Sequence, residues 1–462
     1  MASEGRDLLK RFASPAVRQS AEMDALVRDA VFGDAPVRDR ARWLIWEIGQ
    51  QAGVRPASIH ELYLARGRGE VPPFTTPAMN IRVLSYDAGR AIFRAAKRLD
   101  AGAVICEIAR SEISYTDQRP SEYLFVVLAA ALREGWKGPV FIQGDHFQVN
   151  LKKYLVNPAA EIEAVKELTA EAIKAGFYNI DVDTSTLVDL SKEGHEAQQQ
   201  GNGERCAELT AFIRGLEPKG VTISVGGEIG EVGTKNSTPE ELHAFMKVFV
   251  ASLAKQAPGA TGLSKISIQT GTSHGGVPLP DGSIAQVKID FDAIDALSRI
   301  AREQFGMAGA VQHGASTLPA ELFDRFPKLG ACEIHLATEF QNMIFDSPAF
   351  PADLKQSIYA KLRETEAGER KPADTDEQFF YKTRKKALGG MKRELWGLPV
   401  ATRQAIGKAL EDKFTFLMKQ LAVPGTRALA EKHAPFVAGS FPSAAHGVGA
   451  GKGPEDVSGL SD

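Results

Sequence analysis

Only three cysteines, Cys106, Cys206 and Cys332, occur in the 462 residues. They are odd in number and lack Cys-x-x-Cys spacing, which argues against a disulfide framework and a thiolate zinc site and favours a reducing compartment. No apolar stretch reaches about 18 residues, so a membrane-spanning helix is not expected. The opening segment, Met1-Ala2-Ser3-Glu4-Gly5-Arg6-Asp7, is too charged for a signal peptide, and a cytoplasmic location without membrane partners is expected. An excess of one charge is also missing: 55 Lys and Arg against 58 Asp and Glu give a formal net charge of −3, with no basic tract interleaved with aromatics. That removes the usual electrostatic footprint of a nucleic-acid partner. No Gly-x-Gly-x-x-Gly follows the first β-rich run, which counts against a dinucleotide fold. Histidine is scarce at nine residues, so its distribution is informative.

What is present describes a globular chain with ample core, 44% hydrophobic and 24% charged. Residues 1–70 show apolar spacing of helical type, as in Arg42-Trp43-Leu44-Ile45-Trp46-Glu47-Ile48, and read as an N-terminal helical extension. From 71 to 345, short β-rich runs alternate with helical stretches, with strands expected near 78–83, 102–108, 139–145, 179–185, 222–229, 265–271, 309–313 and 332–337. These strands are apolar throughout rather than alternating, the pattern of a parallel sheet buried on both faces. Eight such units predict an α/β fold, a (β/α)8 TIM barrel, in preference to a doubly wound sheet. Residues 346–438 read as a C-terminal helical extension, with helices over 376–395 and 402–421, and the Gly-, Ser- and Pro-rich tail 439–462 is expected to be disordered.

Four of the histidines stand at the ends of four different strands: His146 in Gln143-Gly144-Asp145-His146, His274 in Thr272-Ser273-His274-Gly275-Gly276, His313 in His313-Gly314-Ala315-Ser316-Thr317, and His335 in Glu333-Ile334-His335-Leu336. A parallel barrel gathers such ends into one mouth. Taken singly, a His before Gly reads as a turn and a His beside Asp as a hydrogen-bonded strand cap; four in strand register point to a catalytic metal. His60, His195, His243, His433 and His446 show no such placement and read as surface or core residues. Three neutral imidazoles with an open fourth position suit a catalytic zinc, which polarises a carbonyl, while a neighbouring carboxylate shuttles protons. The strand ending Gly226-Gly227-Glu228-Ile229-Gly230-Glu231 adds two carboxylates three residues apart, which by themselves read as solvated loop charges. The glycine turns after His274 and His313 offer amides and hydroxyls suited to phosphate oxygens.

The ordered set Pro77-Ala78-Met79-Asn80, Gly144-Asp145-His146, Asp183-Thr184-Ser185, Gly227-Glu228-Ile229-Gly230, Ser273-His274-Gly275, His313-Gly314-Ala315-Ser316 and Ala337-Thr338 resembles class II, metal-dependent fructose-bisphosphate aldolases, over the whole barrel. The resemblance implies Zn2+ or another divalent ion, allows a monovalent cation beside it, and implies cleavage of a ketose phosphate between C3 and C4 within carbohydrate metabolism such as glycolysis. It also implies a homodimer or higher homo-oligomer. Carried over by motif, His146, His274 and His313 become the metal ligands, Glu228 an accessory ligand, and Asp183 a neighbour of the accessory position. Asp145 becomes the proton-transfer residue and Glu231 a weaker candidate for a second acid or base. Asn80, Gly275, Gly314, Ser316 and Thr338 are assigned to substrate and phosphate.

Three positions depart from the family pattern. His335 stands where an asparagine contacting the ketose is typical, Ala337 where an aspartate is typical, and Ala109 about where a substrate serine is expected. Arg82 and Arg110, at the ends of the first two strands, suit a second phosphate or a carboxylate, although an arginine at a barrel rim is more often a salt-bridged structural residue. His335 is open to three readings: a fourth metal ligand, a neutral hydrogen-bond donor or a buried structural histidine. Rival functions are a class I aldolase using Lys265, which begins its strand and so should face away from the mouth; a metal-dependent hydrolase, whose His-x-His the first strand lacks; an aldolase-like barrel with a different phosphorylated or carboxylated substrate; and a non-catalytic sugar-phosphate-binding scaffold.

Overall fold

The apolar runs form strands, and their pairing closes a ring. The computed structural model describes residues 2–230, 235–271, 289–315, 318–441 and 455–460. Nine strands are described: β1 (Val54–Ala57), β2 (Thr76–Asn80), β3 (Ile105–Ala109), β4 (Gly138–Gln148), β5 (Asn179–Asp183), β6 (Ser224–Glu228), β7 (Lys265–Ile268), β8 (Ala310–Gln312) and β9 (Glu333–Leu336). Strands β2 to β9 pair in parallel in sequence order, and β9 returns to β2 with Thr76 opposite Glu333, so the eight form the expected TIM barrel. Helices between the strands cover its outside.

Strand β1 lies within the stretch read as purely helical. It pairs with the start of β4, Val54 to Ala57 against Gly138 to Phe141, below the point where β5 joins β4 at Gln143. Four residues containing Pro56 give no period to read, and proline is tolerated because β1 is an edge. The helix His60–Gly67 follows and closes the end of the barrel where the strands begin. Its buried Arg66 donates to the carbonyls of Phe74, Ala308 and Ala331 at 3.1, 2.6 and 2.9 Å, and the Tyr63 hydroxyl donates to Glu333. This part of the N-terminal extension therefore seals the face opposite the mouth.

Local sequence fixes where the covering helices start. Thr238 accepts from the Glu241 amide at 3.3 Å while the Glu241 carboxylate accepts from the Thr238 amide at 2.9 Å, ahead of Pro239, and Asn157 caps the helix that opens at Pro158. Each cap contributes about 1 kcal/mol. In the C-terminal extension the helix Val400–Gln420 packs on Ser85–Arg98 and is pinned by Glu411 to Arg94 at 2.6 Å. The single helix expected over 376–395 is instead broken into Asp376–Thr383, a 3-10 turn and Lys392–Trp396. Gly389 sits in the break, where its amide donates to the Tyr115 carbonyl and a Cβ would lie 2.7 Å from that oxygen. No described helix is long and apolar enough to cross a membrane.

The barrel interior is charged where aliphatic layers are usual. Alternate strands β3, β5, β7 and β9 contribute Glu107, Asp181, Lys265 and Glu333, all buried. The Lys265 ammonium is 2.8 Å from Asp181, donates to Glu333, and reaches the Gln143 side-chain oxygen at 2.7 Å. Lys265 thus binds two carboxylates inside the barrel. Replacing it with methionine takes the ammonium from both, and Lys265→Met should lower stability by about 3–5 kcal/mol, the cost of breaking a buried ion pair on one side. An unchanged urea midpoint would show that the layer does not depend on the lysine.

Candidate metal centre

Neighbouring residues of a regular strand point to opposite faces, so Asp145 and His146 can serve one mouth only if β4 is distorted between them. It is distorted: the register with β5 shifts between Gly144 and Phe147, and His146 has φ +38°, a strained value for a non-glycine residue. Gly144 permits the kink, because a Cβ there would lie 2.5 Å from the Phe147 ring. Both side chains are buried at the C-terminal end of the barrel.

Around them the strand ends converge. His146 Nδ1 lies 2.9 Å from Asp183 Oδ2 and 3.4 Å from Glu228 Oε2. The His146 and His313 rings are 4.4 Å apart, and His313 lies against His335 at 4.0 Å. Ligand-type atoms of Asp145, His146 and His313 lie within 4.8 Å of one another, as do those of His146, Asp183 and Glu228. Asp183 is oriented from two sides, accepting from Gln148 Nε2 at 2.6 Å and from the Ser185 hydroxyl at 2.6 Å, while Gln269 donates to Glu228 at 3.0 Å. His313 shares a hydrogen bond of 3.1 Å with the Ser267 hydroxyl.

Electrostatics follow from burial. Desolvation, then the neighbouring Asp183, pushes Glu228 up to about 8, against the pull of His146. Desolvation alone would lower His146, but Asp145, Glu228 and Asp183 outweigh it and hold the imidazole well above its ordinary value. Burial would raise Asp183, yet the hydrogen bonds from His146 and Ser185 keep it low. Such a set calls for protons or a cation to neutralise it. Mixed imidazole and carboxylate donors fit a divalent ion of the zinc type, so the residues present suit the metal that the resemblance implies.

His335 sits just below, buried among carboxylates. Its Nε2 is 2.7 Å from Glu333 and 3.6 Å from Asp181, and its Nδ1 is 3.0 Å from Glu107 and 3.2 Å from Asp145. Burial depresses this imidazole, but Glu107 and Asp145 more than compensate and raise it well above the usual range. The ring therefore joins Asp145 to the charged layer. Glu107, Asp181 and Glu333 were not singled out by spacing; the available signal was an acid inside an apolar strand run, alone in two of them and two residues before Asp183 in the third, which is costly unless paired.

The other candidates form two groups. Asn80 and Arg82 both bind Glu112, Arg82 at 2.6 Å, and Arg82 also lies 3.4 Å from the Thr338 hydroxyl. Glu112 accepts from the Ala109 amide at 2.8 Å as well, so the strand end expected to hold a substrate serine is capped from within the chain. Arg110 is paired with Glu161 at 2.6 Å and with Glu455 at 2.5 Å. Gly314, directly after His313, has φ +67°, the left-handed turn that glycine adopts without strain. Glu231, His274, Gly275 and Ser316 lie outside the described residues.

The profile of the family Fructose-bisphosphate aldolase class-II matches residues 73–390. Among solved structures, the chain is similar to the fructuronate-tagaturonate epimerase UxaE of Cohnella laeviribosi, with a TM-score of 0.57 and 11% identity over 83% of this chain and 86% of that one. A probable tagatose 6 phosphate kinase of Sinorhizobium meliloti 1021 gives 0.54 at 19% identity, over 81% of this chain and 97% of that one. The YdjI aldolase of Escherichia coli K12 gives 0.46 at 14% identity, over 80% and 99%. At these identities the structural likeness concerns the fold. The family match spans the barrel from before β2 to beyond β9, and the chain belongs to the class II fructose-bisphosphate aldolases.

Proposed function

We propose that the protein is a metal-dependent aldolase that cleaves a ketose phosphate or bisphosphate, fructose 1,6-bisphosphate or a related sugar phosphate, to dihydroxyacetone phosphate and an aldehyde. The observation that supports this best is the kink at β4, which turns Asp145 and His146 together into the mouth beside His313. His146, His274 and His313 would hold the ion, zinc or another divalent metal, with Glu228 and Asp183 at an accessory position. When bound, such an ion supplies Lewis-acid polarisation of a carbonyl and stabilises developing negative charge.

The chain's own groups do the rest. Asp145 carries the proton exchanged at the reacting carbon, and His335, 3.2 Å from it, fixes the carboxylate in place. Thr338, with Arg82 beside it, and Gly275, Gly314 and Ser316 receive the phosphate, and Asn80 contacts the substrate. Glu231 is retained as a second acid or base. Lys265 is engaged with Asp181 and Glu333 inside the barrel, which disfavours an imine route. The assembly proposed is a homodimer or larger homo-oligomer, as the resemblance implies.

A second reading keeps the chemistry and changes the substrate. It is favoured by the internal capping of Ala109 by Glu112 and by the enclosure of His335 among carboxylates, both at positions where the family meets the sugar. A panel of ketose mono- and bisphosphates, assayed for release of dihydroxyacetone phosphate with and without chelator, decides between the two. Chelator-sensitive release without trapping by borohydride is expected from at least one member. Release that survives chelation, or none from any ketose phosphate, contradicts the aldolase reading.

Two variants test the roles. Asp145→Ala should keep its metal and lose turnover by at least about a hundredfold, the scale of a lost general acid or base. His274→Ala should lose metal and turnover together. Full turnover in the first, or full metal content in the second, removes that residue from the scheme.

A further inference from the structure

The tail was expected to lack structure, yet residues 455–460 lie on the barrel's mouth side, against the end of β3 and the loop after β4. Glu455 reaches the Arg110 guanidinium with both oxygens, at 2.5 Å from Nη2 and 3.4 Å from Nε. Its carbonyl accepts from the Ser114 hydroxyl at 2.9 Å, the Asn150 side-chain amide donates to the Ser458 carbonyl at 2.9 Å, and Lys153 Nζ lies 2.6 Å from the Asp456 carbonyl and 3.3 Å from the Glu455 carboxylate. Thus the segment is held at four points by donors, each from the barrel.

Arg110 does not need Glu455 for its charge. It is 1% exposed, and its Nη1 already donates to Glu161 at 2.6 Å and to the Gln148 carbonyl at 2.6 Å. Glu455 is a second carboxylate on a guanidinium whose ion pair is already made, with Lys153 3.3 Å from it. Without the segment, Nε and Nη2 of Arg110 and the Lys153 ammonium would lose the carboxylate they share, with the Ser114 hydroxyl and the Asn150 amide, which now hold the segment's carbonyls, left as donors nearby. That is the donor set of a phosphate or carboxylate site. The spot is coupled to the metal centre through one residue: Gln148, whose carbonyl takes Arg110, donates its side-chain amide to Asp183, the partner of His146.

We propose that Arg110, Lys153, Ser114 and Asn150 form an anion subsite at the rim of the mouth, and that the Glu455 carboxylate is its built-in, displaceable occupant. The ligand is a phosphate or carboxylate group, either on the far end of the substrate or free in solution. In its substrate-borne form the proposal rests on the sugar-phosphate reading above. The tail then acts as a tethered competitor: it covers the subsite when no anion is bound and yields to one that is, and in the substrate-borne form a bisphosphate anchored by its other phosphate opens the rim at lower concentration than free phosphate does.

The test needs no turnover, so failure of the aldolase assignment and failure of this one are separable. Cys106, Cys206 and Cys332 are buried, so a fluorophore placed through Leu460→Cys reports on the tail alone. At constant ionic strength, inorganic phosphate and fructose 1,6-bisphosphate should each lower its anisotropy. Action of the bisphosphate at far lower concentration assigns the subsite to the substrate's far end, and equal potency assigns it to free anion. By calorimetry Glu455→Gln should bind inorganic phosphate about tenfold more tightly than the parent, the scale of a tethered group competing at millimolar effective concentration. That gain should vanish when Arg110→Gln is added. Unchanged anisotropy with both anions, or equal phosphate affinity in Glu455→Gln and the parent, overturns the proposal.

Discussion

A buried carboxylate is costly unless a cation or a proton accompanies it, and the axis of this barrel buries Glu107, Asp145, Asp181, Asp183, Glu228 and Glu333. Among the described residues one lysine, Lys265, enters this set, and it is spent on Asp181 and Glu333. The remaining acids are arranged around imidazoles. His335 takes Glu107 and Asp145, and His146 takes Asp183 and Glu228. This charge balance ties the fold to the site. In the lower layer Lys265 and His335 are the cations and burial pushes Glu107 up to about 8, while the upper one holds its acids and imidazoles in a donor set suited to a divalent ion. Tyr63 of the bottom helix shares Glu333 with Lys265 and His335, so the seal at one end of the barrel and the chemistry at the other draw on one connected network.

The second element of the design is the kink in β4. Were the strand regular, Asp145 and His146 would part company, one inward and one toward the covering helices. The bulge, the positive φ of His146 and the missing Cβ of Gly144 hold both in the mouth. The same strand continues to Gln148, which orients Asp183 with its side chain and Arg110 with its carbonyl. One distorted strand thus positions the candidate proton carrier, a candidate ligand and the rim arginine.

Much of this was readable in the residues. Parallel strands buried on both faces leave continuous apolar runs, and each of the eight expected runs overlaps a barrel strand; β1 escaped because four residues with a proline carry no period. His146, His313 and His335 could be placed near the mouth because position along a strand survives in sequence, while His274 lies outside the described residues. Their partners did not show: Glu107 and Glu333 are single acids in apolar runs, Asp181 stands two residues before Asp183, and only the closed ring brings them to one axis. Arg110 was legible as an anion-binding side chain or a structural pair, but its contact with Glu455 spans 345 positions, through a Gly-rich stretch that gives no sign of docking. The helix expected over 376–395 is interrupted by a 3-10 turn and by Gly389, whose amide donates to the Tyr115 carbonyl.

The central claim, that the strand-end imidazoles form a metal centre, is tested most directly by anomalous diffraction at the absorption edges of zinc and other divalent metals, on crystals of the purified full chain. The account predicts one strong peak per chain, bounded by His146, His274 and His313, with Asp145 beside it. A peak held by carboxylates alone, or none in crystals grown with saturating Zn2+, would contradict it.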